Sequence, residues 1–313
     1  MATSRTTKVL GVKGTKLTLD GKPFFWQGLA FFNALHNPRF NRSSEERMAW
    51  LRKFKANGIS VLRIWCQWNF PPPRVFTDVA PDKSMYTDDG EVKEETFGRL
   101  VALIHAIDSL DMSLEVAMFS AEKGPYFLPI PAQERATREL TERLRPYRNL
   151  IQQIWSEDST EVMRYFEILK KADPERIVTS APGGSNVLGD DVQNKAYDVL
   201  TPHTLRRQAF PFWYIAPAQV EWLLDTYKKP VIDDSPARSG PIMYGGNEGG
   251  TLPEWHIEQI RRDRALGAYH NYLTDMFQYG YGHALTPPSG IPDPDFSPFH
   301  RQVFDYLRDH PTW

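Results

Sequence analysis

The feature that most constrains the fold of this chain is a regular alternation of short, β-branched apolar runs with longer amphipathic runs. This alternation is typical of parallel α/β folds, because a parallel strand needs a crossover, usually a helix, before the next strand begins. Eight runs are predicted as strands, at 26–32, 59–65, 113–119, 149–155, 176–182, 197–203, 229–235 and 281–287. Helices are predicted at about 44–57, 93–109, 132–146, 159–172, 216–228, 253–276 and 298–309.

Local signals mark where several of these elements begin and end. The Asp20-Gly21 pair predicts the turn of a β-hairpin over residues 17–25. The run Ser43-Ser44-Glu45-Glu46 is a helix-start signal, and Gly58 is expected to end that helix. We therefore expect an N-terminal hairpin lead-in over residues 1–22 and a single domain over residues 23–313.

The number of strand–helix units favours a closed (β/α)8 TIM barrel. The chain has 313 residues, somewhat more than the ~250 typical of such a barrel. A doubly wound open sheet is the alternative, and length alone would also allow two domains. Eight regular units without a break in composition favour the barrel, in which closure removes both sheet edges.

Charge and composition exclude several classes of partner. The formal net charge is −2, which does not favour a nucleic acid or an anionic membrane surface. No apolar run approaches the ~18 residues of a membrane span. The one cysteine, Cys66, is expected to be a packing residue. No signal peptide is visible in the sequence, which suits a cytoplasmic protein or the mature form of a secreted one.

The ends of the predicted strands carry the candidate chemistry, because active sites of (β/α)8 barrels form at the C-terminal ends of their strands. Acidic residues end strands four and seven, where two carboxylates can face each other across the mouth. Such a pair hydrolyses glycosides: one group protonates the leaving oxygen, and the other attacks the sugar or activates water. The candidates are Arg63, Trp65, Gln67 and Trp68 after strand two, Trp155, Ser156, Glu157 and Asp158 after strand four, His203 after strand six, Asp233, Asp234 and Ser235 after strand seven, and His283 near strand eight.

Several of these candidates also have a purely structural interpretation. Glu157 would suit the first turn of helix four, where an acidic side chain favours the helix dipole. Asp233 and Asp234 would suit the cap of a turn, and Arg63 a structural ion pair. Four tryptophans suit either an aromatic core or a sugar-stacking platform: Trp65, Trp68, Trp155 and Trp213.

Five motifs, in their order and spacing, resemble the cellulase-like hydrolases of the large retaining clan that includes glycoside hydrolase families 5 and 2. The motifs are LTLDGKPFFWQG at the hairpin and first strand, NGISVLRIW, RNLIQQIWSED, DVLTPH and KKPVIDDSP. The resemblance covers about residues 15 to 290. It implies a (β/α)8 barrel that acts on the O-glycosidic bonds of an oligosaccharide or glycoside and needs no cofactor.

The resemblance also implies roles for individual residues. Glu157 is at the acid/base position, and we expect its pKa to be raised by a partly apolar setting that includes Trp155. Arg63 and His203 are expected to position the second carboxylate and the sugar. Ser156 replaces the asparagine that usually binds the sugar 2-hydroxyl. Apart from the resemblance, Trp65, Trp68 and Trp213 are candidate substrate contacts, because aromatic rings at the mouth can stack on sugar.

The nucleophile position departs from the family pattern, because counting from Pro230 places Ser235 where a glutamate is usual. Three interpretations follow. A shifted register would make Asp234 or Asp233 the second carboxylate. In the second interpretation, a nucleophilic glutamate has been replaced by serine. In the third, the barrel has naturally lost hydrolysis and only binds carbohydrate. Along a strand, Ser235 and Asp233 should point to one side and Asp234 to the other.

Other patterns favour no further chemistry. The run GGNEGG lacks the ending of a phosphate-binding loop and is predicted to be a lid, with Glu248 as a possible substrate contact. The eight histidines show no metal-binding spacing, and no serine-hydrolase elbow is present. The sequence thus predicts a glycoside hydrolase, with a catalytically silent carbohydrate-binding barrel as the alternative.

Overall fold

The chain begins with a small antiparallel sheet that lies under the main fold. The computed structural model describes residues 6–67, 84–120, 128–183, 187–207, 209–241, 249–274 and 289–312. The predicted hairpin is confirmed, with Asp20 (φ 52°) and Gly21 (φ 74°) in the left-handed conformation that a tight two-residue turn requires. The three strands are β1 (Leu10–Lys13), β2 (Lys16–Leu19) and β3 (Lys22–Pro23), paired in that order.

Seven parallel strands form the main sheet, in the order β8-β7-β6-β5-β4-β10-β9. Every strand pairs with its neighbours in parallel register. The strands are β4 (Gln27–Ala30), β5 (Val61–Trp65), β6 (Ser113–Ser120), β7 (Leu150–Ser156), β8 (Val178–Thr179), β9 (Ile232–Asp233) and β10 (Tyr269–Tyr272).

Residues 198–201 close the gap between the two ends of this sheet. The Asp198 amide donates to the Val178 carbonyl at 3.1 Å on one side. On the other side, the Ile232 amide donates to the Leu200 carbonyl at 2.9 Å. The predicted sixth strand is thus a short bridging segment, and the chain has the predicted (β/α)8 barrel fold.

Helices surround the barrel, and the local signals at the first one are confirmed. The Ser43 side chain accepts from the Glu46 amide at the start of α1, and Gly58 follows its end with φ 85°. The helices are α1 (Ser44–Ala56), α2 (Glu94–Asp108), α3 (Ile130–Leu144), α4 (Val162–Ala172), α5 (Asp191–Ala196), α6 (Phe212–Tyr227), α7 (Pro253–Ala265) and α8 (Pro298–Asp309). Within the described ranges, no helix is long and apolar enough to cross a membrane.

The prediction for the last barrel strand is wrong. Helix α7 ends at Ala265 rather than near residue 276, and Gly267 follows with φ 78°. The strand that pairs with both β4 and β9 is Tyr269–Tyr272, whereas the predicted strand 281–287 lies outside the described residues. The run YHNY lacks β-branched residues, so its polar and aromatic side chains resembled a continuing amphipathic helix.

Two apolar layers hold the barrel and leave its upper interior to polar groups. The floor packs Leu10 and Leu17 of the N-terminal sheet against Trp26, Val61 and Ile151 of the barrel strands. A larger cluster fills the space between the strands and the helices. Because the floor is sealed by apolar side chains, the polar groups of the interior lie toward the C-terminal ends of the strands.

Candidate active site

A buried polar network fills the barrel interior and centres on Arg63 of β5. The Arg63 Nη2 atom is 2.7 Å from Oδ2 of Asp234, and Nη1 donates to the Asp234 carbonyl at 3.0 Å. Nη2 also donates to Gln153 at 2.7 Å and to the Ser156 hydroxyl at 3.2 Å. Arg63, predicted as a site residue, thus joins the ends of strands four and seven in one hydrogen-bonded unit.

The same network contains a second carboxyl group that the sequence analysis missed. Glu115 on β6 accepts from Gln153 and from Asn271, each at 2.7 Å, and both of these amides also donate to Asp234. Burial raises the pKa of Glu115 well above its usual value, and the nearby charge of Asp234 raises it further. The Arg63 guanidinium, whose Nε is 3.8 Å from Glu115 Oε1, opposes this rise in pKa without cancelling it. The only sequence signal was a charged residue inside an otherwise apolar strand.

Glu157 follows the fourth barrel strand in a strained backbone conformation. Its φ is 72°, a left-handed conformation that costs roughly 1–2 kcal/mol for a residue with a Cβ. Its carbonyl also lies close to Gly183, where a Cβ would be 2.9 Å from that oxygen. Helix α4 begins only at Val162. Glu157 is therefore not a first-turn acid of that helix, and strain of this kind is a mark of functional positions.

Three basic side chains surround the carboxylate of Glu157. Its Oε1 atom is 3.4 Å from His203 Nε2, 3.5 Å from Arg206 Nη1 and 3.8 Å from Arg238 Nη1. The Glu157 side chain is 18% exposed. His203 was a predicted site residue, whereas Arg206 and Arg238 were missed. Arg206 lies three positions after His203, and Arg238 lies three positions after Ser235. Loops have no regular repeat of side-chain direction, so this spacing could not predict that either arginine reaches the site.

The expected pKa of Glu157 is wrong in sign. Burial does raise the pKa of this carboxyl, but the charge of Arg206, the adjacent His203 imidazole and the charge of Arg238 outweigh that effect. The pKa of Glu157 therefore lies well below its usual value, and the group is ionised at neutral pH. The indole of Trp155 packs against Phe119 and Tyr165.

The three consecutive residues after strand seven have different surroundings. Asp234 lies in the barrel interior beside Arg63, as described above. Asp233 accepts from Thr204 at 2.8 Å and from Gln259 of α7 at 2.6 Å, so it faces the helix layer. The Ser235 hydroxyl is buried and has no hydrogen-bond partner among the described residues. Both aspartates are fully buried, and of the two only Asp234 belongs to the barrel interior.

Two of the candidate tryptophans, Trp65 and Trp213, are each stacked on another aromatic ring. Trp65 is 2% exposed and stacks on Phe32 with ring centroids 4.2 Å apart. Trp213 stacks on Trp255 between α6 and α7, with ring centroids 4.5 Å apart. Three further candidates, Trp68, Glu248 and His283, lie outside the described residues.

The fold and the position of this site define a class: (β/α)8 barrels with a polar centre at the C-terminal mouth. Solved structures share the fold at low sequence identity. A β-glucanase from Saccharophagus degradans is 14% identical, with a TM-score of 0.65 over 96% of this chain and 93% of that one. A β-mannanase from the blue mussel Mytilus edulis is 13% identical, with a TM-score of 0.62 over 97% of both chains.

A glycoside hydrolase family 5 protein from Bacteroides vulgatus is 15% identical, with a TM-score of 0.61. The match covers 90% of this chain and 65% of that longer protein. No protein-family model matches the chain, and no curated protein sequence matches it. The similarity to these structures establishes the barrel fold and leaves the activity to the residues of the site.

Proposed function

We propose that this protein is a glycoside hydrolase in which Glu157 is the reacting carboxylate at the barrel mouth. The observation that carries the proposal is the strained, partly exposed Glu157 at the end of the fourth strand. Ser156, its neighbour in the chain, is hydrogen-bonded to Arg63 and so to Asp234. The β-glucanase and the β-mannanase of the same fold suggest a glucan- or mannan-type glycan as the substrate.

The low pKa of Glu157 favours the role of a base. An ionised carboxylate can take a proton from an attacking water, whereas a general acid must first hold a proton. Arg206 and Arg238 oppose protonation of Glu157 as long as they stay within about 4 Å of it. A leaving group that departs without protonation should therefore react much faster than an ordinary sugar alcohol.

Among the residues that the structure describes, Asp234 is the best candidate for the second carboxylate. It forms an ion pair with Arg63 in the barrel interior, and Gln153 and Asn271 fix both of its oxygens. Asp233 is less suitable, because its carboxylate is engaged by Thr204 and Gln259 on the helix side.

A specific observation also supports the alternative of a silent, carbohydrate-binding barrel. Counting from Pro230 in the motif that resembles the hydrolase family assigns Ser235 to the nucleophile position, and both neighbouring aspartates are fully buried. A serine hydroxyl without an adjacent base is a poor glycosyl nucleophile. A chain of this kind would bind the glycan and leave it intact.

The decisive experiment is hydrolysis of aryl β-glucosides and β-mannosides with graded leaving groups. The variants are Glu157→Gln and Ser235→Glu, with Glu161→Gln as a matched control, because Glu161 lies on the same segment and is 43% exposed. We expect activity that rises steeply with leaving-group acidity, a loss of at least about 100-fold in Glu157→Gln, and little change in Glu161→Gln. Unchanged activity in Glu157→Gln would refute the assignment.

A second measurement separates the two candidate functions. Sodium formate can replace a missing carboxylate if a small anion reaches the sugar carbon. Activity that appears only with formate or only in Ser235→Glu would establish a barrel that lacks its nucleophile. Calorimetric binding of gluco- or manno-oligosaccharides without hydrolysis in any of these conditions would establish the silent barrel.

A further inference from the structure

We propose that Asp233, Asp263 and His270 form a buried binding site for a divalent transition-metal cation, with Zn²⁺ as the representative ion. The site lies behind β9, between the barrel strands and α7. It is separate from the Glu157 centre, and the proposal does not depend on the activity proposed above.

The three side chains converge from three elements of the fold. Asp233 ends β9, His270 is on β10 and Asp263 is on α7. One ligand atom from each lies within 4.8 Å of the other two. The Nδ1 atom of His270 is 2.8 Å from Asp263 Oδ2 and 3.9 Å from Asp233 Oδ2. Ligand atoms that share one zinc ion at ~2.0–2.2 Å are roughly 3–3.5 Å apart, and small side-chain movements would bring both distances into that range.

Charge is the first reason to expect an ion here. All three side chains are at most 1% exposed, and buried charges in proteins are paired or coordinate metals. Asp233 accepts hydrogen bonds only from the neutral Thr204 and Gln259 among the described residues. Two carboxylates and a neutral imidazole would neutralise one divalent cation.

Unpartnered polar atoms are the second, independent reason. The Oε1 atom of Gln259 has no hydrogen-bond partner among the described residues, although Gln259 is fully buried and its amide nitrogen contacts Asp233. Asp263 Oδ1 is likewise buried without a partner among the described residues. Orphaned buried polar atoms are rare, and an ion or water that they surround is a common explanation.

The donor set selects the class of ion. Carboxylate and amide oxygens alone would suit Mg²⁺ or Ca²⁺, whereas an imidazole nitrogen favours zinc and similar transition metals. The Thr204 hydroxyl, which donates to Asp233 at 2.8 Å, is a neutral oxygen beside the cluster and would supply a further ligand. Such an ion would fix the end of β9, which directly precedes Asp234.

The test is metal binding by the full-length chain after chelator treatment and re-equilibration with Zn²⁺. We expect one tightly held Zn²⁺ per chain by elemental analysis. We also expect the Tm to rise by several degrees when free Zn²⁺ is about 100-fold above its Kd. Asp263→Asn should lose both effects, and Asp225→Asn, an exposed carboxylate on α6, should keep both.

If Asp263→Asn does not fold, zinc retention and the Tm of the wild-type chain still test the proposal. Failure to retain zinc together with an unchanged Tm would overturn the proposal and show that protons alone neutralise the cluster. Zinc retained equally by wild type and Asp263→Asn would also overturn it, because the ion would then bind elsewhere, such as at surface histidines. Loss of glycosidase activity is not a readout of this experiment.

Discussion

Replacing Arg63 with methionine should destabilise the protein strongly, because Arg63 is the one arginine of the described carboxyl network in the barrel interior. The side chain is 1% exposed and pairs with Asp234 at 2.7 Å. It also donates to Gln153 and Ser156. Methionine is of similar length and apolar, so Arg63→Met removes the charge and the donors with little change in volume.

The magnitude follows from what the substitution leaves behind. Removal of one partner of a buried ion pair costs about 3–5 kcal/mol, because the other charge stays buried and uncompensated. That is a large share of the ~5–15 kcal/mol by which a typical domain is stable. The double variant Arg63→Met/Asp234→Asn carries no uncompensated charge at this position. The loss in free energy of unfolding of the double variant should therefore be about 2–3 kcal/mol smaller than the sum of the losses of the two single variants.

The assay is urea denaturation of the two single variants and the double variant at neutral pH. Arg261→Met is the matched control, because Arg261 forms its ion pair with Glu258 at the surface and is 56% exposed. Its loss should change the free energy of unfolding by no more than about 1 kcal/mol. The reasoning fails if Arg63→Met costs no more than this control, or if the losses of the single variants simply add in the double variant.

Three further predictions concern pH, a helix cap and the site backbone. Burial, with the nearby charge of His270, lowers the pKa of His256 to about 3. As the pH falls below about 6.5, the unfolded chain takes up a proton at this histidine and the folded chain does not, so stability is lost. His256→Asn should reduce the loss of stability between pH 7 and pH 5 by ~2 kcal/mol in urea titrations. Ser43→Ala removes the side-chain cap of α1 and should cost about 1 kcal/mol in thermal unfolding. Gly183→Ala places a Cβ against the Glu157 carbonyl and should lower turnover several-fold. Gly98→Ala, with open space around its Cβ, is the control and should leave turnover unchanged. Equal effects of the two substitutions would argue that turnover does not depend on the backbone geometry of Glu157.

Elements with a strong local pattern were predicted closely from the sequence. Helix α8 has the predicted bounds of 298–309, and α1 is within one residue of its prediction. The error at 253–276 arose where a short strand follows a helix after only a few residues. Hydrophobic periodicity could not separate them there, because β10 is stabilised by its neighbours β4 and β9 rather than by its own composition.

The candidate site was predicted unevenly, and the reason is long-range geometry. Position along a strand predicted that Asp233 and Asp234 would face opposite sides, and their contacts agree. Their different partners, and the carboxyl pair formed with Glu115, depend on three strands that are far apart in the chain. No local pattern carries that information.

The sequence by itself determined that this chain forms an eight-fold strand–helix barrel and that Glu157 follows the fourth strand, because alternation and strand ends are local properties. Only the tertiary structure decided the electrostatics of Glu157. Arg206 and Arg238 come from two other loops, and their charges lower a pKa that the sequence predicted to be raised. A pKa depends on the distance to every nearby charge, and those distances exist only once the barrel has closed.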